Sequence, residues 1–209
     1  MSVDVAAQKT DFKRLMKPYR APPIGKFVLV EVPALQFLMI DGQGDPNTSE
    51  SYKAAIQWLY TLSYTIKFAS KAKGRDYGVA PLEGLWWSKD MGDFAAAKKD
   101  TWLWTAMIMQ PDWITPATLA EAMPKAREKL GTPPRSLRLE TFAEGLCAQT
   151  MYLGPYSAEG PTVAKLHGEF LPANGLKPNG KHHEIYIGDP GRTAPEKLKT
   201  VIRQPVSRV

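Results

Sequence analysis

The chain has 209 residues, 44% hydrophobic and 23% charged, ordinary globular fractions that exclude a disordered or collagen-like chain. Its net charge is +6, but the basic residues fall in scattered pairs such as Lys98/Lys99 and Lys197/Lys199, which reads as a solvated surface, so no nucleic-acid partner is expected. A single cysteine, Cys147, excludes an intramolecular disulfide and a cysteine metal cluster; with three histidines and no ligand spacing among them, neither a metal nor a cofactor is expected.

No apolar run approaches the ~18–20 residues of a membrane span, and the polar N-terminus lacks the apolar core of a signal peptide. The expectation is a cytoplasmic protein without membrane contact. Residues 1–26 read as an arm in which Asp11 caps a short helix carrying Phe12, Leu15 and Met16, ending before Pro18. FVLVEV (27–32) and QFLMIDG (36–42) read as strands separated by Pro33-Ala34 in a hairpin-like arrangement. After a Gly-Asp-Pro-Asn loop, Thr48 or Ser49 caps a long helix to about Ser70, with Tyr52, Ile56, Leu59, Ser63 and Ile66 as its inward stripe.

VAPLEGLWW (79–87) and TWLWTAMIMQ (101–110) are the next strands, joined by a loop containing Lys89, Asp90, Gly92 and Asp93. Thr115-Pro116 starts a helix that runs to Gly131, with Pro124 expected to kink it. SLRLETF (136–142) and GLCAQTMYLG (145–154) then read as strands, a helix starts at Pro161 and stops at Asn174-Gly175, Lys177–Lys181 form a turn, and HHEIYIGD (182–189) and KTVIRQPV (199–206) close the chain as strands. The second half thus restates the first at a spacing of roughly 100 residues. The expected class is α+β: a duplicated βαββ module with mainly antiparallel sheets, outer helices and a ligand cleft between the halves. The expected organisation is one domain over 27–209, with repeats at 27–112 and 135–209 joined by the helix at 115–130.

Laying PLEGLWW over KHHEIYI superposes Glu83 on Glu184. Strand alternation places His182, Glu184 and Tyr186 on one face and the isoleucines on the other. With the isoleucines set against the covering helix, Glu184 and Glu83 are expected to look into one cleft. A carboxylate among Trp and Tyr side chains is poised as a general base or as an anchor for a flat cation. Tyr186 joins the two glutamates as a catalytic candidate, while Trp87, Trp102, Trp104, Tyr52 and His182 are the candidate ligand contacts. Plain sheet packing of the tryptophans and a solvated or ion-paired glutamate stay open beside this reading. Cys147, inside an apolar run, reads as a buried inert thiol, and no nucleophile elbow or phosphate loop is present.

HHEIYIGDPGRTAPEKLKTVIRQPV (182–206) closely resembles the C-terminal signature of GyrI-like proteins, and DFKRLMKPYRAP, FLMIDGQGDPN, PLEGLWW and MYLGPYSAEGPTVAKLH extend the resemblance over nearly the whole chain. The resemblance implies a duplicated βαββ fold shared with effector domains of multidrug-responsive transcription regulators. It implies a cleft glutamate, matched here by Glu184, that contacts cationic aromatic ligands. Stand-alone members include enzymes that hydrolyse the strained cyclopropane of spirocyclopropyl cyclohexadienone genotoxins, as well as proteins that bind partners such as DNA gyrase. The expectation is a stand-alone member, monomer or homodimer, that binds a small aromatic or cationic molecule and resembles the hydrolase branch. Sequestration without turnover and an inhibitory protein-partner role remain the alternatives.

Overall fold

The computed structural model describes residues 9–89 and 98–209, so the start of the arm and the loop residues Asp90, Gly92 and Asp93 lie outside the described residues. The first half contains β1 (Val28–Val32), β2 (Leu35–Gln43), the long helix α3 (Glu50–Ala72), β3 (Leu82–Trp87) and β4 (Leu103–Gln110). They are preceded by two short arm helices, α1 (Phe12–Leu15) and α2 (Lys17–Arg20). The arm helix does not simply end before Pro18: a second turn begins at Lys17, with proline in its first turn, where a missing N–H costs no hydrogen bond. Helix α4 (Pro116–Leu130) joins the halves, opened by a Thr115/Thr118 capping box and carrying Pro124 inside it. The second half holds β5 (Arg138–Phe142), β6 (Gly145–Leu153), α5 (Gly160–Lys165), a π-helical turn (Leu166–Phe170), α6 (Leu171–Ala173), β7 (Leu176–Pro178), β8 (His182–Tyr186) and β9 (Lys199–Arg208). Strand β7, paired with β9, occupies part of the segment expected as a turn.

All of these strands belong to one nine-stranded sheet with order β1-β6-β9-β8-β3-β4-β2-β5 and β7 attached to β9, every pairing antiparallel. The α+β class with a duplicated βαββ order is therefore present. The hairpin expected at Pro33-Ala34 is not: β1 pairs with β6 and β2 with β4 and β5, at opposite ends of the sheet. Links 33–34 and 143–144 each span only three Cα–Cα steps, about 11 Å at most. The sheet must therefore curl until its two ends lie side by side. Proline at 33 has no N–H to contribute to a ladder, which suits a strand that leaves its neighbour rather than turning back on it.

Curling gives the sheet two different faces. The outer face packs against α3 and the 160–173 helical segment: Tyr52 of α3 meets Trp86 and Trp104, while Leu166 and Leu171 cluster with Ala148 and Ile202. Gly42 makes room there, since a Cβ on it would lie 2.2 Å from the Trp104 indole. The inner face holds Ile185, Val201 and Met151 and is crossed by the arm, which bridges Thr10 to Tyr77 and Ile24 to Met151.

Within the curl runs a string of buried charges. Arg20 Nη2 of the arm lies 2.5 Å from Glu83 Oε1, and Glu83 Oε2 lies 3.1 Å from His183 Nε2. His183 Nδ1 lies 2.8 Å from Glu144 Oε1, and Glu144 Oε2 accepts from Arg203 Nη1 at 2.7 Å. Arg203 Nε donates to Gln149 at 3.0 Å. Glu144 sits in the second two-residue link, so this string fastens the link to the central strands and the central strands to the arm. Burial opposes charge on His183, but carboxylates on both ring nitrogens raise its pKa and favour the imidazolium. Burial likewise opposes ionisation of Glu144, yet His183 and Arg203 hold its carboxyl down to about 2. Arg20 and His183 also keep Glu83 below its ordinary value against burial.

Two outcomes follow for stability. Glu144 and Glu83 have depressed folded-state values, so their contribution is complete above the ordinary carboxylate pKa of 4.5 and is lost as pH falls toward about 2. His183 is raised, so its contribution is complete below the ordinary 6.5 and is lost as pH rises through the folded value. Glu144→Gln strands two buried cations and should cost about 3–5 kcal/mol near neutral pH while flattening the acid limb, read from urea midpoints measured across pH. Gly42→Ala should lower stability by about 1–3 kcal/mol through overpacking against Trp104, read by thermal unfolding.

Candidate functional site

The β3–β8 register decides which residues meet. Glu83 pairs with Ile185, Gly84 with Glu184, Leu85 with His183 and Trp86 with His182. Paired residues share a face, so Glu83 and His183 point into the curl while Glu184, His182, Tyr186 and Trp86 point to the helical face. The two glutamates expected in one cleft are on opposite sides of the sheet. The superposition of Glu83 on Glu184 was one residue out of step: strands related by a two-fold axis normal to the sheet keep equivalent residues on one face. The argument from isoleucines fails because both faces are buried, and Ile185 finds its apolar neighbours inside the curl.

Glu184 lies between the two helices. Its side chain is 9% exposed, and the Tyr186 hydroxyl donates to its Oε2 at 2.9 Å. His182 Nε2 lies 3.3 Å from Oε1. Tyr186 in turn accepts from the Trp86 indole N–H at 3.1 Å. The Trp86 ring lies over its own strand above Gly84, where a Cβ would come within 2.6 Å of Nε1, so glycine in PLEGLWW is what lets the indole aim at Tyr186. Tyr156 packs edge-on to Tyr186 at 5.3 Å, Trp102 tilts against Trp86 at 5.8 Å, and Lys99 lies 5.6 Å from the Trp102 ring. Trp102, Tyr60 and Tyr156 are half-buried, whereas Trp86 and Trp104 of this aromatic cluster are buried.

Burial disfavours ionisation of Glu184, but hydrogen bonds from His182, Tyr186 and Glu159 overcome it and hold the carboxyl below its ordinary value. The Glu159 carboxyl is driven the other way, up to about 9, by burial and by the charge and hydrogen bond of Glu184. Burial and Glu184 together raise the hydroxyl pKa values of Tyr52 and Tyr186, and that of Tyr156 to about 12. Three phenols thus remain hydrogen-bond donors around one carboxylate. The arrangement can hold a cation against aromatic faces, or accept a proton from a water placed at Glu184.

Among the expected site residues, the structure therefore brings together Glu184, Tyr186, Tyr52, His182 and Trp102. Trp104 is on the same face but buried, its ring edge-on to Tyr52 at 4.9 Å. Glu83 belongs to the inner charge string. Trp87 also faces away from this cluster, where Lys181 Nζ lies 3.4 Å over its ring beside a cavity of about 360 Å³ shared with Asp41 and Arg138. Trp86, Tyr156 and Glu159 were not singled out from the sequence. The signal for Trp86 is its parity with Glu184 once the strands are in register, and for the other two it is their place in PYSAEGP at the start of a helix that flanks the cluster. Cys147 is fully buried with its thiol pushed up to about 12, as an inert thiol should be. Among the described residues no group of His, Cys, Asp and Glu is placed to hold a metal ion, and no helix is long and apolar enough to cross a membrane.

Comparison with known proteins agrees with the fold. A conserved Listeria innocua protein superposes with a TM-score of 0.85 at 42% identity, covering 95% of this chain and all of that one. A Listeria innocua hydrolase does so with a TM-score of 0.84, also at 42% identity, over 96% of this chain and all of its own. The C-terminal domain of EcmrR shares the fold at 13% identity, with a TM-score of 0.56 over 88% of this chain and 98% of that domain. No curated protein matches the chain. The family model of the GyrI-like small molecule binding domain matches residues 26–207, and the chain belongs to that family.

Proposed function

We propose that the chain binds flat aromatic molecules, neutral or cationic, against Glu184, and that it hydrolyses the strained cyclopropane of spirocyclopropyl cyclohexadienones. The observation that carries this reading is a single ionised carboxylate, buried under Trp86 and beside Tyr52, Tyr156 and Tyr186. The similarity to a hydrolase over 96% of the chain supports the catalytic half.

In the reaction, a water oxygen forms a bond to the cyclopropane methylene carbon as the bond from that carbon to the spiro centre breaks. The released electron pair aromatises the ring and leaves the former carbonyl oxygen as a phenolate. Glu184 takes the proton lost by the water, and the phenolate is protonated in turn, so the net change is addition of one water. Tyr186, fixed by Trp86 and bonded to Glu184, orients the water, while Trp86, Trp102 and Tyr156 stack on the flat substrate. General-base assistance of this kind is worth ~10²–10⁴-fold. A second reading, sequestration of cationic aromatics without turnover, uses the same carboxylate as a counter-ion.

With a spirocyclopropyl cyclohexadienone and chromatographic detection of the ring-opened phenol, Glu184→Gln should lower turnover by about 10²–10⁴-fold while leaving the thermal transition in place. Glu83→Gln should lower the transition temperature and spare the residual folded enzyme's rate constant. Absence of turnover by folded wild type would sink the hydrolase reading. Tryptophan quenching by a cationic aromatic would then establish sequestration.

A further inference from the structure

The inner face of the curl holds the charge string and the apolar group around Ile185, and at one end it opens into a cavity. At that end Gln43, Leu103 and Trp87 form one row across β2, β4 and β3. Lys181 precedes His182, the partner of Trp86, and so stands next to Trp87 in the same row. Together with Asp41 and Arg138 these residues line a volume of about 360 Å³. Trp87 is half-buried, Lys181 is exposed, and the lysine ammonium lies 3.4 Å from the centre of the indole ring.

The charges around this cavity are not equal. Arg138 and Asp41 satisfy each other as a forked pair, Nη1 donating to Oδ2 at 2.8 Å and Nη2 to Oδ1 at 3.3 Å. Asp41 also accepts from the Thr105 hydroxyl at 2.7 Å, and Arg138 Nε donates to Glu140. Lys181, by contrast, has no carboxylate within salt-bridge distance among the described residues. Burial lowers its pKa, and the charges of Asp41 and Glu140 do not restore it. What the cavity offers a ligand is therefore one ammonium resting on an aromatic face.

We propose that this cavity is a second small-molecule site, on the opposite side of the sheet from Glu184, and that it takes a flat aryl carboxylate. The proposal does not rest on the Glu184 reading. An ammonium over a half-exposed indole gains less than one hydrogen-bonded to a carboxylate, so Lys181 gives up the ring face to the ligand and takes its anion. The ligand ring then lies against Trp87 and Leu103, the two apolar walls. The Asp41–Arg138 pair holds the remaining wall without leaving either charge free. A cavity of this volume is near the lower limit for small-ligand pockets, which suits a molecule of one or two fused rings. The same sheet thus offers a carboxylate on its helical face and an ammonium inside its curl.

The test uses 2-naphthoate and its neutral isostere 2-naphthamide, with calorimetry and ¹H–¹⁵N spectra of the tryptophan indole groups of the full chain. Wild type should bind the naphthoate about tenfold more tightly than the naphthamide. The Trp87 indole signal, assigned by its loss in Trp87→Leu, should shift as naphthoate is added. Lys181→Met keeps an aliphatic stem over the ring but removes the charge, so it should weaken the naphthoate about tenfold and leave the naphthamide unchanged. Trp87→Leu should weaken both probes. Equal affinity of wild type for the two probes, or naphthoate binding undiminished in Lys181→Met, overturns the role of the ammonium and with it the proposal. Shifts at Trp86 and Trp102 with none at Trp87 place the naphthoate beside Glu184 and overturn the second site. Absence of naphthoate binding by folded wild type at millimolar concentration overturns it as well, and none of these results depends on turnover at Glu184.

Discussion

Two links of two residues each hold the ends of a nine-stranded sheet together, and much of the molecule is a consequence of that restraint. A sheet free to lie open would present both faces to helices or solvent. Pulled into a curl, it has an inner face that side chains and the arm, with its two short helices, fill. The chain fills it with apolar residues around Ile185 and with a line of alternating charges from Arg20 to Arg203. Charges in such a place are costly to desolvate and tolerable only when each meets its opposite. Here each does, and the alternation ties the second link, the central strands and the arm into one unit.

The outer face carries the helices and, between them and the sheet, the aromatic cluster around Glu184. The two helical segments are related by the internal duplication but are not equal. The first runs unbroken from Glu50 to Ala72, whereas the second is interrupted by a π-helical turn at Leu166–Phe170. A π-turn of this kind is frequent near functional sites because it shifts the helix phase by a fraction of a turn. The turn contains His167, whose pKa is lowered by burial and, to a lesser degree, by the charge of His182.

Much of this was legible from residues. Ser49 does cap the long helix, its hydroxyl accepting from Tyr52 N–H, and Thr115-Pro116 does start α4, because caps and first-turn prolines are local chemistry. The strands lie within a few residues of their apolar runs, and five of the eight candidate site residues gather on the helical side of the sheet around Glu184, with Trp104 packed beneath Tyr52. What sequence pattern could not supply was register. Period-two alternation states which residues of one strand share a face, but only the pairing of Glu83 with Ile185 states which face of β3 meets which face of β8. A slip of one residue in aligning the halves moved Glu83 and Trp87 across the sheet. The Pro33-Ala34 link misled for a similar reason, since a short connection implies a hairpin only where the strands it joins are neighbours.

The two glutamates then show how one residue type takes two roles on one pair of strands. Glu83 is ionised because a guanidinium and an imidazolium saturate its oxygens, and a carboxylate so neutralised has nothing left with which to attract a ligand or a proton. Glu184 is ionised with the help of phenol and imidazole groups, neither of which cancels its charge outright. The side of the sheet where every charge finds its opposite is therefore the one that holds the fold, and the other keeps a carboxylate that no fully paired cation neutralises.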